Sequence, residues 1–269
     1  MVHTNISTTF IIKMITNEIY SITLAVLAAG AAGLIGSFAL MKKTVLAGDV
    51  MSHVAIPGLG LAVIWHFNSL LGGGLTLILG ALIIWQLQKK TSLSTEAAIG
   101  VIFASSVAIG ALLISSKEEL IGALFGGFGS LSINEFIFGV VTSLFVIAVL
   151  WILRNKLIIG LFSEDLAVST KIGLGGVNLW FLILFALAIL AGLRFLGALL
   201  AGALIIIPAS AARQLAHNLG WFLALSVAFS ITSVVLGFVI STAYGLEPGP
   251  TVVMVAAAIF VLSLFKRQR

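Results

Sequence analysis

Long apolar runs separated by short polar stretches fill this sequence. Nine can be drawn, at about residues 19–41, 49–66, 69–88, 97–115, 134–153, 178–193, 195–212, 219–243 and 251–265. The runs are continuous rather than alternating, as in Leu182 to Ala191, which favours helices over the strands of a transmembrane barrel. A membrane-crossing helix takes roughly 20 apolar residues. The pattern therefore predicts an all-α integral membrane protein, a polytopic bundle of 8–9 transmembrane helices. The two short runs flanking Arg194 leave the count at eight or nine. They also fit one broken or tilted segment, which would move the N-terminus to the other side. A polar segment at 1–18 precedes a single membrane domain at 19–265, and 266–269 form a basic tail.

Composition removes the main competitor. Of 269 residues, 61% are hydrophobic and 9% charged, whereas a soluble domain carries about 25% charged residues. So few charges cannot cover the surface of a soluble fold of this length. No cysteine is present, which excludes disulfides, thiolate metal sites and thiol catalysis.

The net charge of +5 does not point to nucleic acid, because the basic residues sit in small groups between runs. Lys42 and Lys43 follow the first run, Lys89 and Lys90 the third, and Arg154, Lys156 and Lys171 the fifth. Arg213 follows the seventh, and Lys266, Arg267 and Arg269 the ninth. The even ends carry only His66, Lys117 beside Glu118 and Glu119, Arg194 and Glu247. Cytoplasmic loops are enriched in Lys and Arg, so the odd ends are expected inside, with the N-terminus outside and the C-terminus inside.

Charge at membrane depth is costly, which makes each instance a candidate for function. Asp49 and His53 stand four residues apart in Gly48-Asp49-Val50-Met51-Ser52-His53, so a helix puts both on one face. A carboxylate oxygen and an imidazole nitrogen there suit a divalent cation such as zinc, manganese or ferrous iron. One chain gives two such ligands; a symmetric pair of chains would give four. An internal Asp–His hydrogen bond at a helix start accounts for the same spacing. The charge pattern places Asp49 only a turn or two from Lys43, close to the inner face.

Pro57-Gly58, in the same run, and Pro208, in the seventh, are candidate helix breaks of the kind that line membrane pathways. Tolerated kinks are the plainer reading. Glu96 and Glu135 begin spans, where an acid favours the helix dipole. His3, His66 and His217 fall at or beyond span ends and are expected to be solvated. Gly30, Gly33 and Gly36 in the first run suit close helix packing. The stretch Phe162-Ser163-Glu164-Asp165-Leu166-Ala167, continuing to Gly173, mixes acidic and apolar residues on the inner side. It is either an amphipathic interfacial loop or a short helix that docks on another protein. No G-x-x-x-x-G-K-[ST] loop, G-x-S-x-G elbow or H-E-x-x-H motif occurs, so ATP hydrolysis or other enzymatic activity is not expected of this chain.

Four blocks resemble the membrane permease of bacterial ABC importers for zinc, manganese or iron. The most specific is Gly48-Asp49-Val50-Met51-Ser52-His53-Val54-Ala55-Ile56-Pro57-Gly58, similar to the family's G-D-x-x-S-H-x-x-x-P-G. The others are Glu96-Ala97-Ala98-Ile99-Gly100, where the family more often has Asp at the first position; Leu124-Phe125-Gly126 with Ser130 to Glu135; and Gly197-Ala198-Leu199-Leu200 through Pro208 to Arg213. The resemblance implies a multi-pass permease of a bacterial-type inner membrane, paired as a homodimeric pore. It also implies separate cytoplasmic ATPase subunits that use ATP, and a solute-binding protein that delivers the metal from outside. Asp49 and His53 would line the transit site. Phe162, Glu164, Asp165, Leu166, Ala167 and Gly173, within a segment of about 154–177, would couple to the ATPase. No resident cofactor is implied. A permease for chelated metal or cobalamin-like ligands, and a proton-coupled secondary carrier, are the alternatives.

Overall fold

The apolar runs become helices, but not one helix per run. The computed structural model describes residues 3–44, 46–91, 94–114, 131–162, 169–170 and 172–265. Helix α1 (His3–Met41) carries its span from Ile19 onward. The second run divides into α2 (Leu46–His53) and α3 (Ile56–Ile64). Then come α4 (Ser69–Lys90), α5 (Thr95–Leu113) and α6 (Ile133–Phe162). Both runs flanking Arg194 fall in α7 (Leu174–Leu215), followed by α8 (Leu219–Tyr244) and α9 (Pro248–Phe265). No strand occurs among the described residues.

Local chemistry fixes the helix starts. Asn68 accepts from the N–H groups of Leu70 and Leu71 at 2.8 and 3.4 Å, Ser94 from Ala97 at 3.2 Å, and Asn218 from Trp221 at 2.9 Å. Each satisfies donors that the first helical turn leaves open. Glu135, expected as a first-turn acid, closes a capping box: it accepts from the Ser132 N–H at 3.0 Å while Ser132 Oγ accepts from its own N–H at 3.2 Å.

Side-chain contacts give the helix directions. Tyr20 stacks on Phe136, Leu24 meets Gly139 and Gly30 faces Ile147, so α1 and α6 run parallel. Gly33 packs against Ser226, while Ala25 and Ala28 share a small cavity with Val234, so α8 runs against α1. Asn178 bonds Gln88, and Leu190 and Leu193 reach Gly74 and Gly73, so the first part of α7 runs against α4. Together these contacts gather the ends bearing Lys42, Lys89 and Arg154 on one side of the bundle.

Helix α7 reverses within its own length. Gly197 has φ 68° and ψ 176°, outside helical values, in a region essentially reserved for glycine. Beyond it Ile205 and Ala209 pack on Gly36 and Arg213 lies over the Phe222 ring at 5.9 Å. The second arm therefore heads back towards the lysine-bearing end. The two runs flanking Arg194 are two antiparallel segments, which agrees with the nine-segment pattern.

Among the described residues six helices are long and apolar enough to cross a membrane; Val50–Ile64, Ala97–Leu113 and Leu200–Leu215 are shorter. The central element is α7, which packs against α1, α2, α4, α6, α8 and α9 and buries Leu184, Phe185 and Ile189 almost completely. Close approach replaces bulk between helices, as lipid-embedded packing requires. Ser226 Oγ donates to the Gly33 carbonyl at 2.7 Å across the α1–α8 contact, an interaction worth about 0.6 kcal/mol on average in membrane bundles.

Candidate functional site

The division of the second run starts at Pro57. Proline has no N–H to give to the carbonyl four residues back, here His53, so a helix ending in His53 cannot continue unchanged through residue 57. The chain turns at Val54 and Ala55, whose N–H groups donate to Met51 and Ser52 at 3.1 and 3.3 Å. Helix resumes at Ile56, with Pro57 in the first turn, where a missing N–H costs nothing. Gly58 then meets Gly72 of α4 backbone to backbone: a Cβ on either would collide with the other's carbonyl oxygen. Thr76 of the same helix reaches to 3.5 Å of the Ala55 carbonyl at the break.

His53 is the last residue of α2 and is half-buried. Its ring meets Phe103 of α5 edge-on, with centroids 5.2 Å apart and planes at 85°. Nδ1 lies 3.4 Å from the hydroxyl of the fully buried Ser52. Depth follows from the neighbours. Val54 packs on Gly80, near the middle of α4, and Phe103 is near the middle of α5. His53 thus sits at mid-bundle, deeper than the charge pattern alone suggests for this motif. Residue 49 lies about 6 Å nearer the lysine-bearing end, at 1.5 Å rise per residue, and helical register keeps 49 and 53 on one face. The Asp49 side chain lies outside the described part of the structure. Among the described residues no three His, Asp or Glu side chains come together.

The other candidates divide. Pro57 and Gly58 do sit at an interruption. Pro208 does not: it is buried, and α7 stays helical through it. The expected second break lies instead at Gly197, where a conformation few residues can adopt is supplied by glycine. Glu164, Asp165, Leu166 and Ala167 lie outside the described residues, as does the side chain of Phe162, the last residue of α6. Gly173 is exposed and immediately precedes α7.

Sequence reasoning did not find one polar feature. At the lysine-bearing end Lys42, Thr44, Gln88 and Asn178 line a single cavity. The only signal was a pair of amides close to the ends of apolar runs, next to lysines that had already been given to topology.

With this geometry in hand, comparison with known proteins is decisive. The profile of the ABC 3 transport family matches residues 14–267. This chain belongs to that family. Among ABC 3 relatives, the high-affinity zinc uptake system membrane protein ZnuB of Haemophilus influenzae is 31% identical over 244 residues, covering 87% of this chain and 92% of the relative. The manganese transport system membrane protein MntC of Halalkalibacterium halodurans is 27% identical over 249 residues, 91% of this chain and 85% of the relative. Among solved structures, PsaBC from Streptococcus pneumoniae in complex with Fab superposes with a TM-score of 0.80 at 27% identity, covering 91% of this chain and 90% of that one. An ABC transporter in an inward-facing conformation shares the fold with a TM-score of 0.69 at 18% identity, over 92% of this chain and 85% of that one. The chain is thus a membrane permease subunit of the ABC 3 type, all-helical and multi-pass.

Proposed function

We propose that this chain is the membrane permease of an ABC importer for a divalent transition metal ion, zinc, manganese or iron. The observation that carries the reading is His53, which ends a short helix at mid-bundle, four residues from Asp49 and at a proline-enforced break, in an ABC 3 family chain. Relatives named for zinc and for manganese uptake support it. Two copies facing a common axis would offer two carboxylates and two imidazoles, a donor set that suits these ions. The positive-inside pattern puts the lysine-bearing end in the cytoplasm of a bacterial inner membrane. There the segment from Phe162 to Gly173, with Glu164, Asp165, Leu166 and Ala167, would seat on an ATPase subunit.

The mechanism follows from that placement. A solute-binding protein releases the hydrated ion at the outer end. Carboxylate and imidazole groups replace part of its water shell at mid-depth, strongly enough to admit the ion and weakly enough to let it leave. ATP hydrolysis in the partner subunits moves the coupling segments and opens the site inward.

The test is uptake by vesicles containing the full transporter, with its ATPase and binding protein. Free Zn²⁺ and Mn²⁺ should compete with the labelled ion, while a metal chelate should not. Competition by the chelate alone would contradict the reading in favour of a chelate permease. Uptake that persists without the ATPase would contradict it in favour of a secondary carrier.

A further inference from the structure

Three chain segments bring polar side chains together at the lysine-bearing end on a cavity of about 200 Å³. The turn after α1 supplies Lys42 and Thr44, the end of α4 supplies Gln88, and the start of α7 supplies Asn178. The turn is a Schellman motif: the Lys43 N–H donates to Leu40 at 3.2 Å and the Thr44 N–H to Ala39 at 3.0 Å. Lys43 holds φ at 57°, a conformation usually left to glycine. That turn delivers its two neighbours, Lys42 and Thr44, to the cavity.

Among the described residues the polar lining is an ammonium, a hydroxyl and two carboxamides. Asn178 Nδ2 donates to Gln88 Oε1 at 2.7 Å, which fixes the amide and turns its NH₂ away. Gln88 Nε2 and Thr44 Oγ1 are both buried, and neither has a hydrogen-bond partner. Lys42 adds an ammonium, which lies 5.1 Å from the centre of the Phe181 ring. No carboxylate lines the cavity among the described residues. An unmet buried donor costs about 1–3 kcal/mol, and here two line the same cavity as the half-buried Lys42. Met51, Phe181 and Phe185 make the remaining wall apolar. Lys89 over Trp85 and Arg154 over Trp151 mark the interfacial level at this end.

We propose that this cavity seats a phosphate-bearing anion, with the phosphodiester of an anionic phospholipid of the inner leaflet as its source. Three kinds of donor, the Lys42 ammonium and Thr44 hydroxyl from one turn and the Gln88 amide from α4, suit several oxygens on one centre. The apolar wall suits the glycerol and upper acyl chain, which free phosphate lacks. Basic pockets between helices on the cytoplasmic side bind lipid headgroups by the same chemistry. The proposal does not rest on the metal reading of Asp49 and His53; the cavity meets α2 through Met51.

The test uses the purified full-length chain in neutral detergent, with native mass spectrometry and thermal unfolding as readouts. Phosphatidylglycerol should stay bound and raise the unfolding midpoint, whereas phosphatidylcholine should not. Retention should fall at least tenfold in Lys42→Met and in Gln88→Glu, and stay within twofold of wild type in Lys43→Met. Gln88→Glu preserves shape and gives Lys42 a partner, so it should lose the lipid while the lipid-free protein grows more stable. A structural role for Gln88 would not move the two readouts in opposite directions. If Lys42→Met fails to fold, Gln88→Glu decides alone. Protection by inorganic phosphate, lost in the same two variants, would keep the site and make free phosphate its source. Equal retention of the two lipids would overturn the proposal, and so would equal losses in Lys42→Met and Lys43→Met with Gln88→Glu unchanged.

Discussion

Lys42 and Lys43 are adjacent in sequence and opposite in circumstance. Lys43 is exposed and strained at φ 57°, so Lys43→Gly should relieve the turn. We expect a gain of about 0.5–1 kcal/mol, measured by chemical unfolding in detergent. Lys42 is largely buried, and desolvation pushes its pKa below 10.5. In the alkaline range under that value the unfolded chain holds a proton that the folded chain has released. Stability should therefore rise with pH through that window. Below the folded pKa both states are protonated and the burial cost is present in full. Lys42→Met should remove the alkaline rise in the unfolding midpoint; a rise that survives the substitution would point to another group.

At the scale of elements, backbone contacts decide more than side-chain bulk. Gly58 and Gly72 press α3 onto α4 at the break after His53. Gly58→Ala should cost about 1–3 kcal/mol from overpacking and lower the thermal midpoint. Gly197→Ala should cost a similar ~1–3 kcal/mol, because alanine does not adopt φ 68° with ψ 176°. A midpoint unchanged in either variant would show that the contact relaxes. Proline explains one break and not the other. Pro57 was legible as an interruption because it deprives His53 of a donor within one short helix. Pro208 carries the same local signal, yet helix continues through it, with Ile205 and Ala209 packed on Gly36 of α1. The reversal falls at Gly197, where nothing in the local pattern separates one glycine from its many neighbours.

For the whole molecule, the arrangement of charge in the sequence carried most of the topology. Lysines at the odd ends predicted which ends share a side, and the contacts Trp85–Gly175, Gln88–Asn178 and Lys42–Phe181 gather them there. The depth of the candidate site was not legible in this way. Distance along the chain from Lys43 said shallow, but α2 rises beside the middle of α4 and α5. The donor cavity was also hidden, because convergence of Thr44, Gln88 and Asn178 needs three helix ends brought together. Sidedness has a clean test, since the chain contains no cysteine. In intact cells His66→Cys should react with an impermeant maleimide, and Lys90→Cys only after permeabilisation. The reverse pattern would invert the topology.

The central claim is that two copies of the α2 face hold one ion between them. Equilibrium binding of Zn²⁺ or Mn²⁺ to the assembled transporter, counted per permease chain, addresses this most directly. The account predicts one ion per two chains, lost in both Asp49→Ala and His53→Ala while the complex still assembles and its ATPase still hydrolyses ATP. One ion per chain, or full occupancy in either variant, would contradict it.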